Sequence, residues 1–288
     1  MMKRIATLTL AAALAALSFP AAAEAQFGVK ARVYGGMSLL SGGDLNKGAE
    51  GMFNFYDAYF RALGFATRGE FTPAQAGFNL GGDLIFQFNP SIGLGLGAGY
   101  TSAALTSVDE FQGAGGSGAI SHRVRSAALP LRLSFFYFLP VAGGEKYNVV
   151  FHAGLGYYLS RAGHTFRLES GGSWLEQDLD CSGKGLGFHG GIGLEIALSG
   201  NMGLILEAGG RYAAFAGFEG DKTVRNSLGA IVATRGKLYY FEFSPTGGTF
   251  PQLDVSDTEI AGPGIGSLRE AEVQFTGLSV TIGVFLRF

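Results

Sequence analysis

The last eleven residues, LSVTIGVFLRF (residues 278–288), decide the fold. Leu278, Val280, Ile282, Val284 and Leu286 fall on one face. Gly277, Ser279, Thr281, Gly283, Phe285 and Arg287 fall on the other. Strict period-two alternation is the pattern of a β-strand with two unlike faces. The unbroken aliphatic row needs an apolar partner, and the rest of the chain says which.

The alternation recurs seven more times. Phe27 to Leu40 sets Val29, Val33, Met37 and Leu39 against Lys30, Arg32 and Tyr34. Phe78, Leu80, Leu84, Phe86 and Phe88 oppose Asn79, Asp83 and Gln87, and the turn Asn89-Pro90-Ser91 leads into Leu94, Leu96 and Tyr100 opposite a run of glycines. Ala127 to Tyr137 faces Arg132 and Ser134; Val149 to Leu159 faces His152; Phe188 to Leu198 faces His189 and Glu195; Leu204 to Tyr212 faces Glu207 and Arg211. The eight strands are joined alternately by long connections (about 41–74, 105–122, 162–184 and 218–270) and short ones near 90, 142 and 200. Short turns alternating with long loops, on an even strand count, is the connectivity of an outer-membrane barrel, with the turns periplasmic and the loops extracellular. Ile231–Thr234 and Lys237–Phe243 flank Arg235-Gly236 like a hairpin. Its arms are shorter than the ~9–11 residues a membrane strand needs, so they read as an outer hairpin extending the wall. Ten membrane strands is the alternative.

Composition points the same way. The chain is 47% hydrophobic and only 15% charged, and 48 of its 288 residues are glycine, which disfavours helix. Lys3 and Arg4, the apolar run Ile5 to Leu17 and the Ala23-Glu24-Ala25 site form a secretory signal peptide over residues 1–25, leaving a barrel domain over 26–288. Beyond it no run is long and apolar enough for a spanning helix. A hydrophobic, exported, helix-poor chain is expected to be a transmembrane up-and-down antiparallel β-barrel, since closure is the non-helical way to satisfy backbone polar groups in lipid. The aliphatic rows then meet lipid, and the last strand pairs with the first. A net charge of −2 without a basic stripe excludes nucleic acid as a partner. Cys181 has no disulfide partner and reads as a sheltered loop thiol.

The eight alternating strands, the signal peptide, the long outer loops and the terminal Phe288 resemble the small outer-membrane barrels typified by OmpX and the OmpA membrane domain. That resemblance implies a monomer inserted from the periplasm by chaperones and the barrel assembly machinery, with Phe288 as the assembly signal. No peptidoglycan-binding domain of the OmpA kind is expected after Phe288.

The lumen rows carry Lys30, Arg32, Asp83, Arg132, Glu195, Glu207, Arg211 and Arg287. An eight-stranded barrel is just wide enough for its side chains to fill it, and buried charges must pair. These eight are therefore expected to interlock as a plug, joined by His152 and His189, with glycines making room. A narrow charge-lined pore is the competing reading. His122 and His164, beside Ser121 and Thr165, are the candidates for a lipid-modifying enzyme of the kind some similar barrels are, but no nucleophile–base–orienter set emerges and no enzyme is expected. Neither cofactor nor metal is called for, and Gly93-Leu94-Gly95-Leu96-Gly97 alternates on a strand and opens no helix, so it is no phosphate loop. Phe86, Phe88, Tyr137, Tyr147 and Phe288 are expected in an inner aromatic girdle, and Tyr100, Tyr157, Tyr212 and Phe275 in an outer one. In the first long loop Met52, Tyr56, Tyr59, Phe60 and Leu63 share one helical face, so a short amphipathic helix is expected there, capping the mouth, lying in the outer leaflet or packing on the fourth loop. The expected role is structural or surface-directed, contacting outer-membrane lipid, lipopolysaccharide, and host or neighbouring surfaces.

Overall fold

A computed structural model describes residues 28–141, 146–245 and 248–288. The signal peptide and the start of the first strand at Phe27 lie outside the described residues, as does the middle of the short connection near 142. In chain order the elements are β1 (Gly28–Gly43), α1 (Asp44–Ala62), β2 (Ala66–Gly69), β3 (Ala76–Asn89), β4 (Ile92–Gly113) and β5 (Gly116–Pro140). They continue with β6 (Tyr147–Ser170), β7 (Ser173–Ala197), β8 (Met202–Tyr212), β9 (Ala214–Phe215) and β10 (Glu219–Asn226). The last are β11 (Ile231–Phe243), β12 (Phe250–Ser256), β13 (Ile265–Glu270) and β14 (Val273–Arg287).

Eight of these strands close an antiparallel ring in the order β1-β3-β4-β5-β6-β7-β8-β14. The seam is the C-terminal strand: Leu278 stands beside Leu39 of β1 on one side and Gly210 of β8 on the other. Both of its edges are therefore paired, which removes the exposed donors and acceptors that lipid would not tolerate. The aliphatic rows point outward around the ring, Met37 and Leu186 each 73% exposed, while Lys30, Arg32, Ile85, Phe136 and Phe285 are buried inside. The membrane barrel has eight strands, and the ten-stranded alternative does not occur.

Four expectations about the outer connections need correction. First, 105–122 and 162–184 are not loops. Strands β4 to β7 run 22 to 25 residues and simply continue past the membrane, ending in tight turns, the second at Gly171-Gly172 with φ of 57° and 80°. Second, the hairpin is not centred on Arg235-Gly236. Both residues lie within β11, paired with Asp221 and Gly220 of β10. The turn falls instead at 227–230, where the Asn226 side chain accepts from the Leu228 and Ala230 amides and Gly229 adopts φ 82°. Third, α1 begins at Asp44, well before the expected face, and its first half is the buried part (Leu45, Ala49, Phe53). Tyr59 and Leu63 are exposed. Fourth, Phe275 belongs to no girdle: it is buried inside the wall and stacks on Phe215 at 5.8 Å. Its odd position on β14 puts it on the inward row, as the alternation itself required.

Above the ring, β7 exchanges partners. Residues 188–197 pair with β8, but 175–182 pair with β10, so β10 and β11 carry the wall upward and β12 and β13 hang from β11. The helix α1 stands inside this extension. Gly48 and Gly51 let it lie directly on Leu253 and Pro251 of β12. Its aromatic side reaches the opposite wall, with Tyr56 stacked on Phe166 at 4.7 Å and Phe60 on Phe111 at 4.0 Å. Arg269 holds the N-terminal end through both oxygens of Asp44, and the Glu272 amide adds a third bond to that carboxylate at 2.7 Å. The helix therefore caps the mouth and packs on the fourth connection at once.

Candidate functional site

The lumen at membrane level is built from the inward rows of the ring. At the periplasmic end Lys30 Nζ donates to both Glu195 oxygens at 2.9 and 2.8 Å, and Arg287 approaches the same carboxylate at 3.7 Å. The ammonium lies 4.0 Å above the Phe138 ring and 5.2 Å from that of Phe285, so its remaining surroundings are aromatic. One layer up, Arg32 donates to Asp83 at 2.7 Å and Glu207 at 3.1 Å, while its guanidinium lies 4.7 Å from the Phe136 ring. Arg132 donates to Asp83 at 3.1 Å and to the Tyr34 hydroxyl. His152 Nε2 sits 3.1 Å from Glu207 Oε1. The glycines on neighbouring rows make this packing possible. A Cβ on Gly81 would stand 2.8 Å from the Tyr34 hydroxyl oxygen, and one on Gly97 would overlap the Asp83 carboxylate.

Of the eight lumen residues singled out in the sequence, seven thus fall into two ion-pair groups: Lys30, Glu195 and Arg287, and Arg32, Asp83, Glu207 and Arg132. Arg211 forms no ion pair among the described residues; it donates to Ser38. It borders a cavity of about 30 Å³ shared with Tyr34, Arg132, His152, Tyr158 and Glu207. That volume holds on the order of two waters. The Nε groups of Arg132 and Arg211, which line it, have no partner among the described residues, and water in such a cavity would satisfy donors of this kind. The inward aromatics Tyr34, Phe136, Phe138 and Phe285 were not singled out from the sequence, although their alternation with lipid-facing neighbours was the signal that places them.

Above the charged layers the interior turns apolar. Ala128, Tyr158, Phe218, Phe275 and Val273 pack across the bore, and Leu45 and Ala49 of α1 continue the same core. His122 and His164 lie in this upper half, buried in strands and not beside loops. Their rings stack, with Nδ1 of one 3.1 Å from Nε2 of the other, under Phe53 and Phe166. Burial lowers the His164 pKa to about 4 and that of His122 well below 6.5. Alternation turns Ser121 and Thr165 to the opposite face, where Thr165 donates to Asp178 at 2.6 Å. The structure does bring Ser134 Oγ within 2.8 Å of His189 Nε2, but His189 Nδ1 has no partner among the described residues and the adjoining space is the cavity already described. Cys181 is likewise in a strand, buried beside Ala162. Phe288 is exposed on the outer face, its amide donating to the Val29 carbonyl at 2.8 Å.

The profile of the outer membrane protein beta-barrel domain matches residues 9–233. The chain belongs to that family. It is a protein of the outer membrane, and the closing strand β14 lies beyond the matched span. Among solved structures, similarity extends to the outer membrane protein OprG of Pseudomonas aeruginosa (11% identity, covering 92% of this chain and 98% of that one, TM-score 0.35). It extends also to a major outer membrane protein of Thermus thermophilus (15% identity, 90% and 99%, TM-score 0.42). The outer membrane protease OmpT of Escherichia coli is matched at 10% identity over 92% and 99%, with a TM-score of 0.41. No curated protein matches the chain.

Proposed function

We propose that this barrel is a closed, monomeric outer-membrane protein with a structural and surface-directed role, neither conduit nor enzyme. The observation that carries this reading is the double closure of the bore. Two ion-pair groups fill the membrane level around a cavity of about 30 Å³, and an apolar core with α1 covers them from outside. A permeating ion would have to displace paired charges, each expensive to strand. The surface offered to lipopolysaccharide and to host or neighbouring molecules is then the protruding wall of β4 to β7 and the β10–β13 extension. Insertion by periplasmic chaperones and the assembly machinery, with Phe288 as the recognised end, belongs to the same reading.

A narrow channel is the second reading, favoured by the charge imbalance of the lumen: five cations (Lys30, Arg32, Arg132, Arg211, Arg287) face three carboxylates (Asp83, Glu195, Glu207). An opened bore would prefer anions. Single-channel recording of the refolded mature chain in a planar bilayer separates the two. Silent traces from folded barrel are expected; reproducible steps that change with Arg132→Gln or Glu207→Gln would replace the plug with a pore.

A further inference from the structure

The cations of the ring's outward rows are unevenly spread. On β1, β3, β8 and β14 the outward rows hold no Lys or Arg at any described position. On the facing side, Arg161 follows Leu159 as the next outward residue of β6, and Lys184 precedes Leu186 on β7. Both stand one step above the lipid-facing row. Arg235 of β11 joins them around an open hollow of about 780 Å³ whose floor includes Leu129, Leu159 and Tyr100. Glu219 also lines it, leaving three cations against one carboxylate. Arg161, Lys184 and Arg235 form no ion pair among the described residues, whereas Arg125 in the adjoining hollow is tied to Asp178 at 2.9 Å. Exposed Tyr100 borders the hollow, and exposed Tyr157 and Tyr212 lie on the outward rows of β6 and β8, where amphipathic rings favour the membrane–water interface.

Unpaired cations immediately above an exposed leucine floor, at the interface, match one kind of ligand: an anionic head with its chains in the lipid. We propose that Arg161, Lys184 and Arg235 bind the phosphate of a phosphorylated outer-leaflet lipid, its acyl chains lying over Leu129 and Leu159. The assignment rests on the lipid-contacting reading above but not on the plug. Leu159 and Leu186 set the depth of the acyl chains, and the three cations meet the head group from β6, β7 and β11, so one lipid is clasped across the place where β10 replaces β8 beside β7. A basic residue near an anionic surface strengthens attachment several-fold, and three acting together compound that effect.

The test is native mass spectrometry of the refolded full barrel with diphosphoryl lipid A, with the same lipid dephosphorylated, and with inorganic phosphate. The intact barrel should retain the phosphorylated lipid, release the dephosphorylated one, and show no retention of free phosphate. Arg161→Gln/Lys184→Gln/Arg235→Gln should weaken retention about tenfold or more. Arg225→Gln, a cation outside the hollow, should not. Equal retention of both lipids by the wild-type barrel, full competition by inorganic phosphate, or an unchanged triple variant would overturn the proposal. The wild-type comparison decides the matter even if the triple variant does not fold. A barrel that conducts ions yet selects the phosphorylated lipid would sink the plug and leave this site standing.

Discussion

The membrane half of the molecule and its extracellular half are made from the same strands with opposite patterns. Along β5, Leu131, Leu133 and Phe135 face out while Arg132 and Ser134 face in. A few residues further up, Arg123 and Arg125 face out while Ile120 and Val124 are buried inside. The strand keeps its period of two throughout; what inverts is which parity is apolar, because the solvent outside changes from hydrocarbon to water. In lipid the exterior supplies the apolar contact and the interior must satisfy charges on its own. In water the interior becomes an ordinary core, and it needs α1 to fill a bore the wall alone cannot. The lower half is therefore held by pairing and the upper half by burial.

The largest effect that would break this contrast comes from Glu195. Its carboxylate is the acceptor for Lys30 and lies closest to Arg287, inside a layer otherwise lined by Phe138 and Phe285. Glu195→Ala strands a buried ammonium and should cost about 3–5 kcal/mol, read as a shift in urea unfolding of the reconstituted barrel. Replacing both partners, Lys30→Met with Glu195→Leu, should recover most of that loss, since apolar groups of similar volume often substitute for a buried pair. A single variant costing less than about 1 kcal/mol would mean that the lumen is hydrated, with the pairs no stronger than exposed ones.

The same inversion explains what was legible in the sequence. Membrane strands announced themselves because every second residue from Val29 to Leu39, or from Leu278 to Leu286, is apolar or glycine, with mostly small, polar or charged residues between. The inward set followed by parity, and it contains all eight lumen charges. Above the membrane the outward residues become Arg, Ser, Thr and Asp, so 105–122 and 162–184 resemble loops although they are strands of full length. Arg235-Gly236 looked like a turn because Gly follows a charged residue, yet neither has the side-chain acceptor that Asn226 supplies to close the real one. The basic hollow was invisible for a different reason. Arg161, Lys184 and Arg235 are far apart in sequence, and only the exchange of β8 for β10 beside β7 brings them to one side.

Acid should open the upper half selectively. His122 and His164 are neutral when folded, His164 with its pKa lowered to about 4 by burial, against 6.5 in an exposed imidazole. Asp178 opposes that shift and Arg125 reinforces it; burial, followed by the neighbouring His164, lowers the pKa of His122. Between pH 6.5 and 4 the unfolded segment binds more protons than the folded one, so stability falls as pH is lowered through this window and is unaffected above it. Crossing the whole interval should cost roughly 3 kcal/mol from His164 alone. Hydrogen exchange of the α1 amides is the readout, since α1 covers the pair through Phe53. His164→Phe should reduce the dependence and His122→Phe/His164→Phe should flatten it, and a slope that survives the double change would place its origin elsewhere.

Cys181 offers the smallest perturbation, one that leaves stability untouched. Its thiol is buried in the upper core, and burial, followed by the charges of Asp180, Asp221 and Asp178, pushes its pKa up to about 12. Set against an ordinary thiol near 9, that leaves on the order of 1000-fold less thiolate before access is considered. The folded barrel should therefore resist maleimide at pH 8 and label only after denaturation. Since the wall around Cys181 is closed by β6, β7 and β10, slow labelling would track opening of the β7–β10 pairing, the same junction that assembles the basic hollow. Rapid labelling of folded protein would mean that water already reaches the upper core. The contrast between a paired lower half and a packed upper half would then fail at its upper end.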